Sequence, residues 1–262
     1  MVDLSLIKDF FPDQIRNNPL LRKSMIQEYI QLSILDFLST TQYIRKLIFI
    51  GGTNLRLVKG IDRFSEDLQF DCRGINREEF LQMSDDVMQF LRRNGYKVES
   101  REKDSPKLTA FRKNIFFPEF LFDLGLSGHR DERFLIKIEA QDQGADYTPE
   151  IRNIRGCGFF FPFPVPSDSV LCAMKATALL ERGKGRDFYD LMFLLGLTKP
   201  DYDFLAKRIG INNAVELKAE IKKRINITEL KTKAKDFEHL LFNKENNKRI
   251  LRFEEFLEED VL

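Results

Sequence analysis

The chain has 262 residues, enough to bury a sizeable core in one large domain or two small ones. Its 42 Lys and Arg against 41 Asp and Glu leave a net charge of +1, which excludes the overall basic surface of a dedicated nucleic-acid binder. No apolar run approaches the roughly 18 residues needed to span a bilayer, so a soluble cytoplasmic protein without membrane association is expected.

Asp3, Lys8 and Asp9 interrupt the N-terminal apolar run, which does not read as a secretory signal. From Pro19 to about Ser39, Leu21, Met25, Tyr29, Leu32 and Leu35 recur at helical spacing and predict an amphipathic helix. Leu47-Ile-Phe-Ile50 reads as a short buried strand. Gly51-Gly52 ends it where a helix starting near Thr53 follows. Asp67 to Cys72 alternates with period two, putting Asp67, Gln69 and Asp71 on one side and Leu68, Phe70 and Cys72 on the other. A second amphipathic helix is expected from Arg77 to Arg93, closed by Asn94-Gly95. Strand-like runs follow from Tyr96, Leu108, Phe120 and Phe134, and in the last of them Lys137 and Glu139 share a face.

Phe161-Pro-Phe-Pro-Val-Pro166 is expected to stop regular structure, because its prolines remove ladder donors. It marks a boundary between residues 1–165, an α/β domain, and residues 166–262, a helical domain. Helices are expected at about 167–182, 187–195, 202–209, 214–224, 229–242 and 248–259, with an N-cap at Ser167-Asp168-Ser169. The class is α+β, a mixed sheet flanked by helices and followed by a C-terminal helical bundle. From Lys207 to Arg252 there are 13 basic and 6 acidic side chains, offset by the acidic stretch Glu254 to Asp260. Cys72, Cys157 and Cys172 form no metal-ligand pairs and read as reduced, buried thiols. His129 and His239 have no Ser or Cys partner, which argues against hydrolase triads and histidine metal sites.

The chemistry concentrates between Ile50 and Asp71. Gly51 and Gly52 allow backbone amides to approach phosphate at a helix N-terminus. Ser65 can donate to a phosphate, and Arg63 can neutralise one. Asp67 is placed to hold a metal ion, and Glu139 reaches the same space if the two strands are neighbours. Farther on, Arg182, Lys184 and Arg186 crowd a glycine-spaced turn that can close over a triphosphate.

At these residues the chain resembles the nucleotidyltransferase toxins of the AbiEii/AbiGii abortive-infection type, members of the DNA polymerase β-like nucleotidyltransferase superfamily. The resemblance rests on Gly51-Gly52-Thr53-x-Leu55-Arg56-Leu57, Arg63-Phe64-Ser65-Glu66-Asp67-Leu68, Lys137-Ile138-Glu139, Lys175-x-x-Ala178 and Arg186-Asp187-x-x-Asp190-Leu191. It implies that residues 1–165 are a nucleotidyltransferase-like domain and that the helical domain completes the nucleotide site. Asp67 is then the first metal carboxylate and Glu139 the third. Lys175 contacts the nucleotide, and Asp187 orients Lys175 or Arg186. Gly51, Gly52, Thr53, Arg63, Ser65, Lys137, Arg182 and Arg186 form the nucleotide-binding set. The family's second metal carboxylate is Gln69 here, with Asp71 as the substitute; Asp71 lies roughly 6.6 Å farther along the strand.

The function implied is an enzyme, a toxin of a bacterial toxin–antitoxin or phage-defence system. It transfers NMP from an NTP, with Mg2+ or Mn2+, to RNA such as a tRNA 3′ end, and has a cognate antitoxin, for example a winged-helix repressor. The alternatives are transfer to a protein side chain (AMPylation), or a weakened nucleotide- or antitoxin-binding protein in which Gln69 has removed turnover.

Overall fold

Short apolar runs and period-two alternation build one sheet around which the chain is organised. The computed structural model describes residues 4–100, 110–259 and 261–262. Five strands, β1 (Leu47–Ile50), β2 (Asp67–Cys72), β3 (Glu99–Ser100), β4 (Phe111–Phe116) and β5 (Leu135–Gln141), form a mixed sheet in the order β1-β2-β5-β4-β3. β2 and β5 run parallel, and the other neighbouring pairs are antiparallel. β6 (Glu150–Gly156) and β7 (Phe159–Val165) make a separate two-stranded sheet.

The helices, in chain order, are α1 (Leu4–Lys8), α2 (Asp13–Arg16), α3 (Arg22–Ser39), α4 (Gly51–Asn54), α5 (Arg77–Arg93), α6 (Phe120–Asp123), α7 (Asp168–Arg182), α8 (Gly185–Leu195), α9 (Tyr202–Ile209), α10 (Ala214–Asn226), α11 (Leu230–Lys235) and α12 (Phe253–Glu258). α4 runs on into a π-helical stretch, Leu55–Lys59. The chain divides into two compact units. One gathers the residues up to Lys59, Phe64–Asp142 and Ile151–Val165; the other gathers Gly60–Arg63, Gln143–Glu150 and the residues from Pro166 onward.

In the sheet unit, Leu68, Phe70, Ile136, Ile138 and Ala140 point to one side and are buried. The rings of Phe49, Phe70 and Phe163 meet there at centroid distances of 5.9–6.0 Å. α5 is held at its start by Asn76, whose Oδ1 accepts from the Glu79 N–H at 2.9 Å. It buries Phe80, Met83, Val87 and Leu91.

Four expectations are corrected. The proline run does not stop regular structure. It is the strand β7, because Pro162 and Pro164 lie at alternate positions and delete N–H donors from one edge only, while Phe161, Phe163 and Val165 turn inward. Phe120 begins the short helix α6 rather than a strand, with Glu119 in the left-handed conformation at its start. The helix after the glycine turn begins at Gly51, two residues earlier than expected. The last two expected helices break up, into α11 with 3-10 turns at Glu238–Leu240 and Lys244–Arg252 and then α12. The strand expected from Leu108 starts outside the described residues, and its observed part is β4.

In the helical unit Ser167 caps α7, accepting from the Val170 N–H at 3.4 Å. Gly183 ends that helix at φ +56, the left-handed conformation a glycine adopts at little cost. Asp201 and Asn213 cap α9 and α10 in the same way as Ser167.

Candidate active site

The register of three strands arranges the polar residues in rows on one face of the sheet. Gln69 pairs with Glu139, which pairs with Arg112; one row away, Asp67 pairs with Lys137, which pairs with Asn114. β2 and β5 are neighbours, so Asp67 and Glu139 do share a space. The apolar alternates of both strands are buried on the opposite face, which fixes this register: a one-residue slip would exchange the two faces.

The side chains in these rows hold one another. Lys137 Nζ lies 2.8 Å from Asp67 Oδ2 and 3.6 Å from Glu139 Oε1. Arg112 Nε donates to Glu139 Oε1 at 2.7 Å, and Gln69 Nε2 donates to Glu139 Oε2 at 2.9 Å. Burial pushes the Glu139 carboxyl up, but the Gln69 N–H and the charges of Lys137 and Arg112 outweigh it and hold the group below the usual value.

Gly51 sits against this cluster at φ +85. A Cβ there would lie 2.3 Å from Gln69 Oε1, so the close approach that requires glycine is made by Gln69 of the same chain. Gly52 and Thr53 are buried in α4, and the Thr53 hydroxyl donates to the Asp67 carbonyl at 2.5 Å, tying α4 to β2. Ser65 is half-buried; its carbonyl accepts from Gln31 Nε2 at 3.0 Å. Gln27 donates to the carbonyls of Glu66 and Leu135 at 3.0 and 3.3 Å, joining the approaches to β2 and β5. Asp71 is 2% exposed, and the ladder from Asp67 to Asp71 runs without a bulge, so Asp71 stays two rows away from Asp67.

The remaining expected residues lie in the helical unit. Arg63 is 1% exposed, and its Nε and Nη2 donate to the two oxygens of Asp190, both at 2.7 Å. Lys175 Nζ donates to Asp190 Oδ2 at 2.8 Å. Burial pushes the Asp190 carboxyl up, yet Arg63 and Lys175 together hold it down at about 2. Burial also pulls Lys175 below its ordinary value: Asp190 resists this, and the nearby Arg63 charge adds to it.

Asp187 is fully buried and accepts from Arg182 at 2.7 and 2.9 Å and from the Lys184 N–H at 3.0 Å. It therefore caps α8 and fixes Arg182, while Lys175 is oriented by Asp190, one turn farther along α8. The Asp187 charge also acts on Lys175, whose hydrogen bond goes to Asp190. Arg186 is half-buried at the start of α8. Asp62 also belongs to this unit, accepting from Tyr189 Oη and Asn246 Nδ2 at 2.7 Å each.

Reading by sequence missed Arg112, the two bracing glutamines and the partnership of Arg63 with Asp190. The glutamines left a signal, since Gln27 and Gln31 interrupt the apolar stripe of α3 at i, i+4 spacing. Arg112 left none, because three consecutive polar residues, Arg112, Lys113 and Asn114, hide the alternation of its strand.

The donor set does not fit a cage for two divalent ions. Among the described residues no three Asp, Glu, His or Cys side chains gather. Asp67 and Glu139, which both lie against Lys137, are ion-paired.

A glycine turn after a short strand, followed by an acidic strand paired in parallel with a glutamate strand, defines the chain as a nucleotidyltransferase-type fold. Solved structures agree at the level of fold. MenT4, a nucleotidyltransferase toxin from Mycobacterium tuberculosis, superposes with a TM-score of 0.55 at 15% identity, covering 98% of this chain and 99% of that one. JHP933 from Helicobacter pylori gives 0.53 at 17% identity over 90% of each chain. No curated protein matches the sequence.

The family described as "Nucleotidyl transferase AbiEii toxin, Type IV TA system" matches residues 33–261, and the chain belongs to it. It is a nucleotidyltransferase toxin of a type IV toxin–antitoxin system; family membership brings with it an NTP substrate and a cognate antitoxin.

Proposed function

We propose that this enzyme transfers a nucleoside monophosphate from an NTP to the 3′ end of an RNA, a tRNA being the acceptor that accounts for toxicity, because a blocked acceptor end stops translation. The acceptor hydroxyl oxygen forms a bond to the α-phosphorus. The bond from that phosphorus to the bridging oxygen breaks, and pyrophosphate and a proton are released.

The observation that carries this reading is the in-register pairing of β2, β5 and β4. It gathers Asp67, Lys137, Glu139 and Arg112 on one face beside the Gly51 turn. Lys137 and Arg112 supply positive charge for phosphate oxygens, and Asp67 and Glu139 fix where those cations stand. Ser65, with its backbone braced by Gln31, adds a hydroxyl two residues before Asp67. In the helical unit the reading assigns Lys175, Arg182 and Arg186 to handling of the NTP phosphates, Asp187 to holding Arg182 and Arg63 to holding Asp190. Mg2+ or Mn2+ belongs to this reading as the companion of the NTP phosphates.

The C-terminal helices offer less to RNA than their composition implies. Lys218 and Lys222 both pair with Glu258, at 3.0 and 2.6 Å, and Lys223 pairs with Glu220. These cations are already partly compensated, so acceptor binding is expected to depend only weakly on salt. The cognate antitoxin is proposed to be a winged-helix repressor, and an enzyme that uses NTP and RNA is proposed to act in the cytoplasm. Among the described residues no helix is long and apolar enough to cross a membrane.

The test is incubation with labelled NTP in the presence of total RNA and total protein. Label is expected in RNA and is expected to vanish in Asp67→Ala. Label in protein alone establishes the AMPylation reading instead. Nucleotide binding without transfer, with transfer gained in Gln69→Asp, establishes the weakened-enzyme reading.

A further inference from the structure

The two carboxylates and two cations of the strand cluster, Asp67, Glu139, Lys137 and Arg112, sum to zero charge. Two divalent ions held about 4 Å apart need the opposite, an excess of anionic oxygens that face the ions. Here the faces are taken. Lys137 Nζ stands between Asp67 Oδ2 and Glu139 Oε1, at 2.8 and 3.6 Å, and Arg112 occupies the same Glu139 oxygen at 2.7 Å.

Gln69 decides the rest. An ionised carboxylate only accepts hydrogen bonds, so the Gln69 group 2.9 Å from Glu139 Oε2 must be its NH2 end. Its amide oxygen, the one atom it can offer to a metal, is turned instead against Gly51, where it lies 2.3 Å from the point a Cβ would occupy. With Asp71 buried two rows away, no carboxylate among the described residues replaces the missing one.

We infer that Lys137 serves this cluster as a built-in cation between Asp67 and Glu139, locked by Gln69, so that the strand cluster of the nucleotide-free protein holds no divalent ion. Lys137 is a positioning residue in this sense: it sets the charge and spacing of the two carboxylates. The importance of the cluster for catalysis rests on the nucleotidyl-transfer reading; its capacity for ions does not.

The experiment is Mn2+ titration of the full chain without nucleotide, followed by electron paramagnetic resonance, on the unaltered protein and on Asp67→Asn, Lys137→Met and Gln69→Asp. The unaltered protein is expected to show no binding tighter than about 1 mM that depends on Asp67. Lys137→Met and Gln69→Asp, each of which adds one negative charge to the balance, are expected to gain roughly tenfold or more in affinity.

Binding tighter than about 1 mM in the unaltered protein that is lost in Asp67→Asn overturns the inference. So does a lack of gain in both charge variants when circular dichroism shows them folded. Should Gln69→Asp fail to fold, Gln69→Glu replaces it, and the unaltered protein with Asp67→Asn still decides. Labelled-NTP binding is measured separately, so a failure there counts against the proposed function and leaves the ion result intact.

Discussion

At Gly51 two constraints coincide, a φ of +85 and a side chain, Gln69, filling the space where a methyl group would go. Gly51→Ala is therefore expected to lose about 1–3 kcal/mol in urea denaturation, from left-handed strain plus overpacking. Gly51→Ala with Gln69→Ala is expected to recover the packing part and keep the strain. Equal losses in the single and double variants would show that Gln69 does not press on Gly51. At this scale the sequence disclosed the residue types of the site better than their partners. Asp67, Glu139 and Lys137 were readable because strand alternation fixes which side chains share a face. Arg63 and Asp190 were not, because 127 residues separate them and no local pattern pairs them. The same holds for Lys175, which donates its hydrogen bond to Asp190 of α8.

Among the elements, the long periodic ones were the most legible. α5, α9 and the start of α7 lie where spacing and caps placed them, since capping residues act locally. β7 departs from expectation because its prolines, at alternate positions, remove donors from one edge of the strand only. If the prolines of β7 face an unpaired edge, Pro162→Ala is expected to change stability by less than about 0.5 kcal/mol. Phe163→Ala, which removes a fully buried ring from contact with Phe49 and Phe70, is expected to cost about 3–5 kcal/mol. Comparable losses in the two variants, measured by thermal or urea unfolding, would contradict this account of the strand. α6 departs from expectation for a different reason: three apolar residues, Phe120, Leu121 and Phe122, fit a strand or a helical turn equally well.

For the whole molecule, acid sensitivity should trace to the buried ion cluster of the helical unit. The folded Asp190 pKa of about 2 lies below its ordinary 3.8. Its contribution is therefore fully present above pH 4 and is lost as pH falls from about 4 towards 2, on the order of 2 kcal/mol in all. Asp190→Asn is expected to be less stable at neutral pH and to lack this part of the acid limb; an unchanged acid limb would contradict the assignment. The central claim, that the chain moves a nucleotide rather than a phosphoryl group, is tested most directly with a single NTP labelled in turn at its α- and γ-phosphates. The account predicts that α-label becomes attached to RNA, that γ-label leaves as pyrophosphate, and that both signals disappear in Asp67→Ala; γ-label on the acceptor, or α-label transfer that survives Asp67→Ala, would contradict it.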